Sequence, residues 1–156
     1  MKIIEKSPNI PEAILLMEEL SEILKSITGD SGKNSFNPND ICGSKALFVI
    51  AYNENEEAVG CGAIRPIDEK TAEVKRMYAS TKEKGVGTKI LCYLEKRAQE
   101  MGYSVLCLET RLINERAVSF YESRGYQRIV NYGKYANRPE AVCLEKNIVT
   151  NIMEIK

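Results

Sequence analysis

The sequence predicts one α/β domain of the α+β kind over residues 1–156, with a mixed, largely antiparallel sheet of six to seven strands covered by helices. Three observations carry this. Short polar turns, "NENEE" and "DEK", separate β-rich runs between Ala46 and Ala79, as in an antiparallel meander. A strand–helix–strand order follows the meander. No repeat, low-complexity tract or linker interrupts the 156 residues, a length usual for one domain and sufficient for a real core.

The elements follow in order. Lys2–Glu5 is a short strand candidate. In "SPNIPEAILLMEELSEILKSITG", Ile10, Ala13, Ile14, Met17, Leu20, Leu24 and Ile27 recur at helical spacing, with Gly29 as the stop. "DSGKNSFNPNDICGS" is rich in turn-forming residues and reads as a long loop, a kind that is often functional. Strands are expected at Ala46–Tyr52, Ala58–Ile67 and Thr71–Ala79. A second helix carries Val86, Ile90, Leu91, Leu94, Ala98 and Met101 on one stripe and ends at Gly102. Tyr103–Glu109 is a strand, "NERAVSFYESRG" a helix ending at Gly125, and Tyr126–Val130 and Ala141–Lys146 are closing strands.

Composition narrows the chemistry. Lys plus Arg and Asp plus Glu both number 22, so no overall basic field points to nucleic acid or an anionic membrane. The longest apolar run, "ALFVIAY", is too short to span a bilayer, and nothing of signal-peptide length precedes Pro8. A cytoplasmic protein is expected. The five cysteines, Cys42, Cys61, Cys92, Cys107 and Cys143, form no C-x-x-C pair and read as small reduced hydrophobes. Histidine is absent, which removes Ser-His-Asp and Cys-His catalysis and the commonest zinc ligand. Acid–base work falls to carboxylates, tyrosine, lysine, cysteine or water, and no metal is expected.

"KGVGTK", Lys84 to Lys89, lies between a predicted strand and a predicted helix. Glycines there let the backbone approach a phosphate, and the amides of a helix N-terminus supply donors. Alone the signal is weak: the third glycine of a dinucleotide fingerprint is missing, and so is the G-x-x-x-x-G-K-[ST] pattern. The G-x-G of "GCGAI" sits within a strand and reads as a bulge or packing site. Rossmann-type nucleotide binding does not fit, because the glycine turn follows antiparallel strands.

Downstream, "NERAVSFYESRGY" spaces Asn114, Ala117, Tyr121, Gly125 and Tyr126. Together, "AEVKRMYAS…KGVGTKIL", "LETRLINERAVSFYESRGY" and the closing "VCLEK" resemble the GNAT superfamily of acyl-CoA-dependent N-acetyltransferases, small bacterial type, over roughly Ala46 to Lys146. The resemblance implies a sheet splayed after the fourth strand and acetyl-CoA as co-substrate. The coenzyme A pyrophosphate would sit on the amides within Lys82–Thr88, which include Lys84, Gly85, Val86 and Gly87. The pantetheine arm would pair with the backbone of Met77, Tyr78 and Ala79 beyond a bulge, as an added strand does. Two registers are open for the loop: Lys82 with Gly85 and Gly87, or Lys84 with Gly87, and the apolar stripe favours the first. Asn114, near Ala117, would bond the cofactor arm, cap the following helix, or do both.

Tyr121 matches the family tyrosine that protonates the departing thiolate, since a phenol with a pKa of about 10 keeps its proton at neutral pH; the plainer reading is a core aromatic. Glu73 matches a position where several members carry a general base, needed because only the neutral amine attacks the thioester; its plainer reading is a solvated strand residue. Attack is direct, without a covalent enzyme intermediate. The acceptor groove would be framed by Gly29–Gly43, Arg111–Ile113 and Asn131–Arg138, with Arg65, Arg76, Arg111, Tyr132 and Tyr135 nearby. A small primary amine that also bears an anionic group is the expected acceptor; paired surface arginines are the plainer reading. A protein N-terminus or lysine, and a non-catalytic acyl-CoA sensor, stand as alternatives. Monomer and homodimer are both open.

Overall fold

The computed structural model describes residues 1–33, 37–41, 43–80 and 83–149. Lys82 and Cys42 therefore lie outside the described residues. The order is β1 (Lys2–Lys6), α1 (Pro11–Thr28), β2 (Leu47–Tyr52), β3 (Ala58–Pro66), β4 (Thr71–Ala79), α2 (Val86–Glu100), β5 (Val105–Arg111), α3 (Glu115–Ser123), β6 (Gln127–Ile129) and β7 (Ala141–Asn147), with 3₁₀ turns at Pro38–Ile41 and Gly133–Tyr135. One seven-stranded sheet runs β1-β2-β3-β4-β5-β7-β6. All neighbours are antiparallel except β4 and β5.

That exception shapes the molecule. The parallel register joins only Thr71–Val105, Ala72–Leu106 and Glu73–Cys107. Beyond Glu73, β4 stays paired with β3 while β5 stays paired with β7, so the sheet opens between them. β4 also carries a bulge, because Cys61 faces Tyr78 while Ala63 faces Lys75. Arg76 and Met77 thus share the place opposite Gly62, and Arg76 adopts a left-handed φ of 52°.

The strand alternation splits the core in two. On one face, Leu47, Val49, Ile64, Ala72, Val74, Leu106, Leu108 and Leu144 pack under the Val86, Ile90, Leu91, Leu94 and Ala98 stripe of α2. On the other, Phe48, Ile50, Cys61 and Ala63 pack under α1 through Ala13, Leu16 and Met17. The α2 stripe is the one the periodicity predicts. In α1, Leu16 and Ser21 are buried, whereas Ile14 and Ile27 stand 44% and 39% exposed. Contact with the sheet, and the reach of Arg76 up to Ser21 Oγ at 2.6 Å, set which stripe of α1 turns inward.

α2 can lie close to the sheet because β3 has glycines beneath it. A Cβ on Gly60 would come within 2.7 Å of the Tyr78 carbonyl oxygen, and one on Gly62 within 2.7 Å of Met77 Sδ and 2.8 Å of Ile90 Cγ2. "GCGAI" is a packing site, with Gly62 facing the bulge. Among the described residues, no helix is long and apolar enough to cross a membrane.

Candidate active site

Three features meet where the sheet opens. The first is the start of α2. Gly85 caps it in a left-handed conformation, φ 82°, with nothing within 4 Å of where its Cβ would stand. The first bond of the helix runs from Lys89 N to Gly85 O at 3.0 Å, so the amides of Val86, Gly87 and Thr88 precede the helical ladder. No acidic side chain occupies this first turn. Gly87 lies over Ala79 and the Phe120 ring, at ordinary contact distances for an added Cβ. This local structure suits an anion.

The second is α3. Asn114 is its N-cap and accepts from Ala117 N at 3.4 Å. Tyr121 is buried, with ring contacts at 5.1 Å to Phe120 and 5.7 Å to Tyr126. Burial pushes its phenol well above the ordinary tyrosine range, so the proton stays on oxygen at neutral pH. The core-aromatic reading and a proton-donor role are compatible at this position.

The third is the sheet face beyond the cover of α1, where β3, β4, β5 and β7 present charged residues in register. Glu73 is fully buried. One oxygen accepts from Arg65 Nε at 2.7 Å and the other from the Tyr132 hydroxyl at 2.5 Å. Arg65 also reaches Asp40, on the 3₁₀ turn after α1, at 3.4 Å. Arg111 pairs with Asp30 at 2.9 Å and lies 3.7 Å from Glu109. Tyr132 and Tyr135 pack edge to face at 5.7 Å, and Lys75 Nζ lies 3.4 Å from the Tyr135 hydroxyl. Burial and the Glu73 charge push the Tyr132 phenol far up, and burial raises Cys107 to about 11.

The three segments expected to frame a groove therefore converge: Asp30 and Asp40 from the first, Arg111 from the second, Tyr132 and Tyr135 from the third. Arg111 belongs to β5 itself, because the strand runs two residues past the predicted end at Glu109. Arg76 stands apart. Its guanidinium donates to Met17 O at 2.8 Å and to Ser21 Oγ, which ties the bulge of β4 to α1. Cys61 beneath it is raised to about 12 by burial, as suits a packing thiol. Lys75 and Glu109 escaped the sequence reading. The signal was present in the alternation, since Lys75 follows Glu73 by two residues and Glu109 follows Cys107 by two.

An open seven-stranded sheet, split between a bulged β4 and β5 beside a glycine-capped helix, defines an architecture, and comparison with known proteins gives it a family. The acetyltransferase (GNAT) family model matches residues 16–126. The chain belongs to that family. An uncharacterized N-acetyltransferase of Bacillus subtilis, YsnE, is 33% identical over 110 residues, 68% of this chain and 72% of that one. The chain spans about half the length of three other curated relatives: 48%, 52% and 55%. A structure from Klebsiella pneumoniae, provisionally described as an acyl-CoA N-acyltransferase, superposes with a TM-score of 0.80 at 27% identity, covering 95% of this chain and 97% of that one. A GNAT acetyltransferase from Elizabethkingia anophelis, solved with acetyl-CoA bound, shares the fold with a TM-score of 0.66 at 17% identity, covering 94% and 97%.

Proposed function

We propose that the chain is a single acetyltransferase domain moving an acetyl group from acetyl-CoA to a primary amine of a small molecule, by direct attack in a ternary complex. The observation that carries this is the opening between β4 and β5, which starts at Glu73 and lies beside the glycine-capped start of α2. The unpaired edge of β4 from Met77 to Ala79 offers backbone groups to the pantetheine arm, as an added strand would use them. The amides of Val86, Gly87 and Thr88 receive the pyrophosphate, with Lys84 as a nearby cation. Asn114 serves as helix cap beside Ala117, close to the cofactor arm.

At the reacting end, a backbone amide of the β4 bulge polarises the thioester carbonyl. Arg76 holds that bulge in its left-handed turn through its bonds to α1. Tyr121 supplies a proton to the departing thiolate. The amine gives up its proton to a carboxylate of the polar face, where Glu73 occupies the family position. An anionic group on the acceptor would compete with Asp30 for Arg111, or with Asp40 for Arg65. Both carboxylates are well exposed, at 46% and 41%, and such surface pairs contribute little and exchange readily. Tyr132 and Tyr135 would flank the bound amine. The site is taken to work in the cytoplasm, on a soluble acceptor.

An acetyl-CoA-dependent screen against pooled amines, read by mass gain and thiol release, tests this reading. The expected outcome is a gain of one acetyl group on amines that carry a carboxylate or phosphate. Turnover confined to polyamines or aminoglycosides would remove the anionic-acceptor part. Acetylation of protein termini or lysines alone would replace the small-molecule acceptor.

A further inference from the structure

We propose that Glu109, rather than Glu73, is the catalytic carboxylate that takes the proton of the acceptor amine, with Lys75 facing it across the opening. This rests on the acetyl-transfer reading above. Glu73 and Cys107 form the last register pair joining β4 to β5. Two residues further on each strand come Lys75 and Glu109, on the same face by the alternation of strand side chains. Lys75 reaches the Tyr135 hydroxyl, and Glu109 lies opposite Cys143, against which Tyr135 packs. The two therefore stand on opposite banks of the gap, at its first open level, and no ion pair joins them.

Their surroundings differ from those of Glu73. Both oxygens of Glu73 are engaged, and the residue is closed to solvent. An amine cannot come within hydrogen-bond reach of it without displacing Arg65 or Tyr132, and reach is the first requirement of a general base. Glu109 is half-buried, and its Oε2 is a buried oxygen with no hydrogen bond, only Arg111 at 3.7 Å. Arg111 itself is held by Asp30. A buried carboxylate oxygen without a donor is uncommon and calls for one. The Glu109 side chain keeps 14% exposure against 0% for Glu73, so the ammonium of an acceptor lying in the gap approaches the carboxylate from that open side and supplies the donor.

The groups around Glu109 are Arg111 on its own strand, Glu73 and Lys75 on β4, Lys134 and Tyr135 on the 3₁₀ turn and Cys143 on β7. Burial outweighs the cations and raises the carboxyl pKa, which makes it a stronger base than an exposed glutamate. The step balances. The acceptor ammonium gives one proton to Glu109, and the neutral nitrogen attacks the thioester carbon. A C–N bond forms, the C–S bond breaks, and the sulfur leaves as thiolate. The second nitrogen proton restores the thiol by way of Tyr121 or solvent, and Glu109 releases its proton to solvent.

The test compares wild type, Glu109→Gln and Glu73→Gln at pH 5 to 9. The acceptors are glycine, β-alanine, L-threonine, spermidine and kanamycin, with acetyl-CoA hydrolysis by water as the reference reaction. Acetyl-CoA affinity is followed by calorimetry. Glu109→Gln is expected to lower kcat at least 100-fold and abolish the acidic limb of the pH–rate profile, while acetyl-CoA affinity is retained. A glutamate with a raised folded pKa contributes stability at low pH that is lost as pH rises through that value. Glu109→Gln should therefore keep or raise Tm at pH 7, which separates a chemical role from a folding one. Rate and limb both unchanged in Glu109→Gln, or a limb removed by Glu73→Gln alone, overturn the proposal while acetyl transfer stands. A wild type that binds no acetyl-CoA removes both.

Discussion

Glu73 stands at 0% exposure between the Arg65 guanidinium and the Tyr132 hydroxyl, and its neighbours on β4 are Ala72 and Val74. A carboxylate so placed holds the sheet to the closing loop. Truncating it leaves a half-buried guanidinium and a half-buried phenol without an acceptor. Glu73→Ala is expected to cost about 2 kcal/mol, toward the low end for a broken buried pair because Arg65 keeps 27% exposure and its contact with Asp40. Urea unfolding measures it, and a loss under about 0.5 kcal/mol would show the pair to be idle. The cation side was anticipated for Arg65 and Arg111. What eluded the sequence reading was their partners, since Asp30 and Asp40 lie far away in the chain. Lys75 and Glu109 were legible in principle from period-2 alternation, but only once the facing of both strands is known.

Among elements, β4 and α2 are the best anticipated. Thr71–Ala79 coincides with the expected strand, and the buried stripe of α2 matches the expected one up to its last member. α2 has uninterrupted periodicity, and both elements have strong end signals. β5 and α1 differ in detail. β5 extends to Arg111 because pairing with Ala141 on β7 continues there, a long-range bond that local pattern does not contain. The glycines divide by what surrounds them. Gly62 is needed by packing, and Gly62→Val is expected to destabilise by about 2–3 kcal/mol through overpacking against Ile90 and Leu94. Gly85 and Gly87 have room around them, and the left-handed φ of 82° at Gly85 would strain an aspartate by about 1–2 kcal/mol. A Gly85→Asp, Gly87→Asp double variant should therefore still fold, at a small cost in stability, and lose acetyl-CoA affinity by placing anions at the proposed pyrophosphate position. Calorimetry reads this, and unchanged affinity would remove the glycine turn from the site.

Across the molecule, the opening between β4 and β5 brings three distant segments to one place. The glycine cap follows β4, Tyr121 sits on α3, and the charged face gathers β3, β4, β5 and the loop before β7. The two ends of the reaction are expected to be separable. Tyr121→Phe removes only a hydroxyl from a buried ring, so Tm and acetyl-CoA affinity should hold while thiol release falls 10-fold or more. An unaltered rate would reduce Tyr121 to a packing role, in keeping with its place between Phe120 and Tyr126.

Composition, periodicity and turn residues were enough to establish the fold class, most strands and the α2 stripe, and the motifs from Ala72 to Lys146 carried the family resemblance. Those properties are local or repeat along the chain. The resemblance implied a splay after the fourth strand; the level at which it opens, the burial of Glu73 and the facing of Lys75 and Glu109 depend on which strands become neighbours and where their pairing stops. Such facts arise from contacts between residues tens of positions apart, and only the tertiary structure decides them.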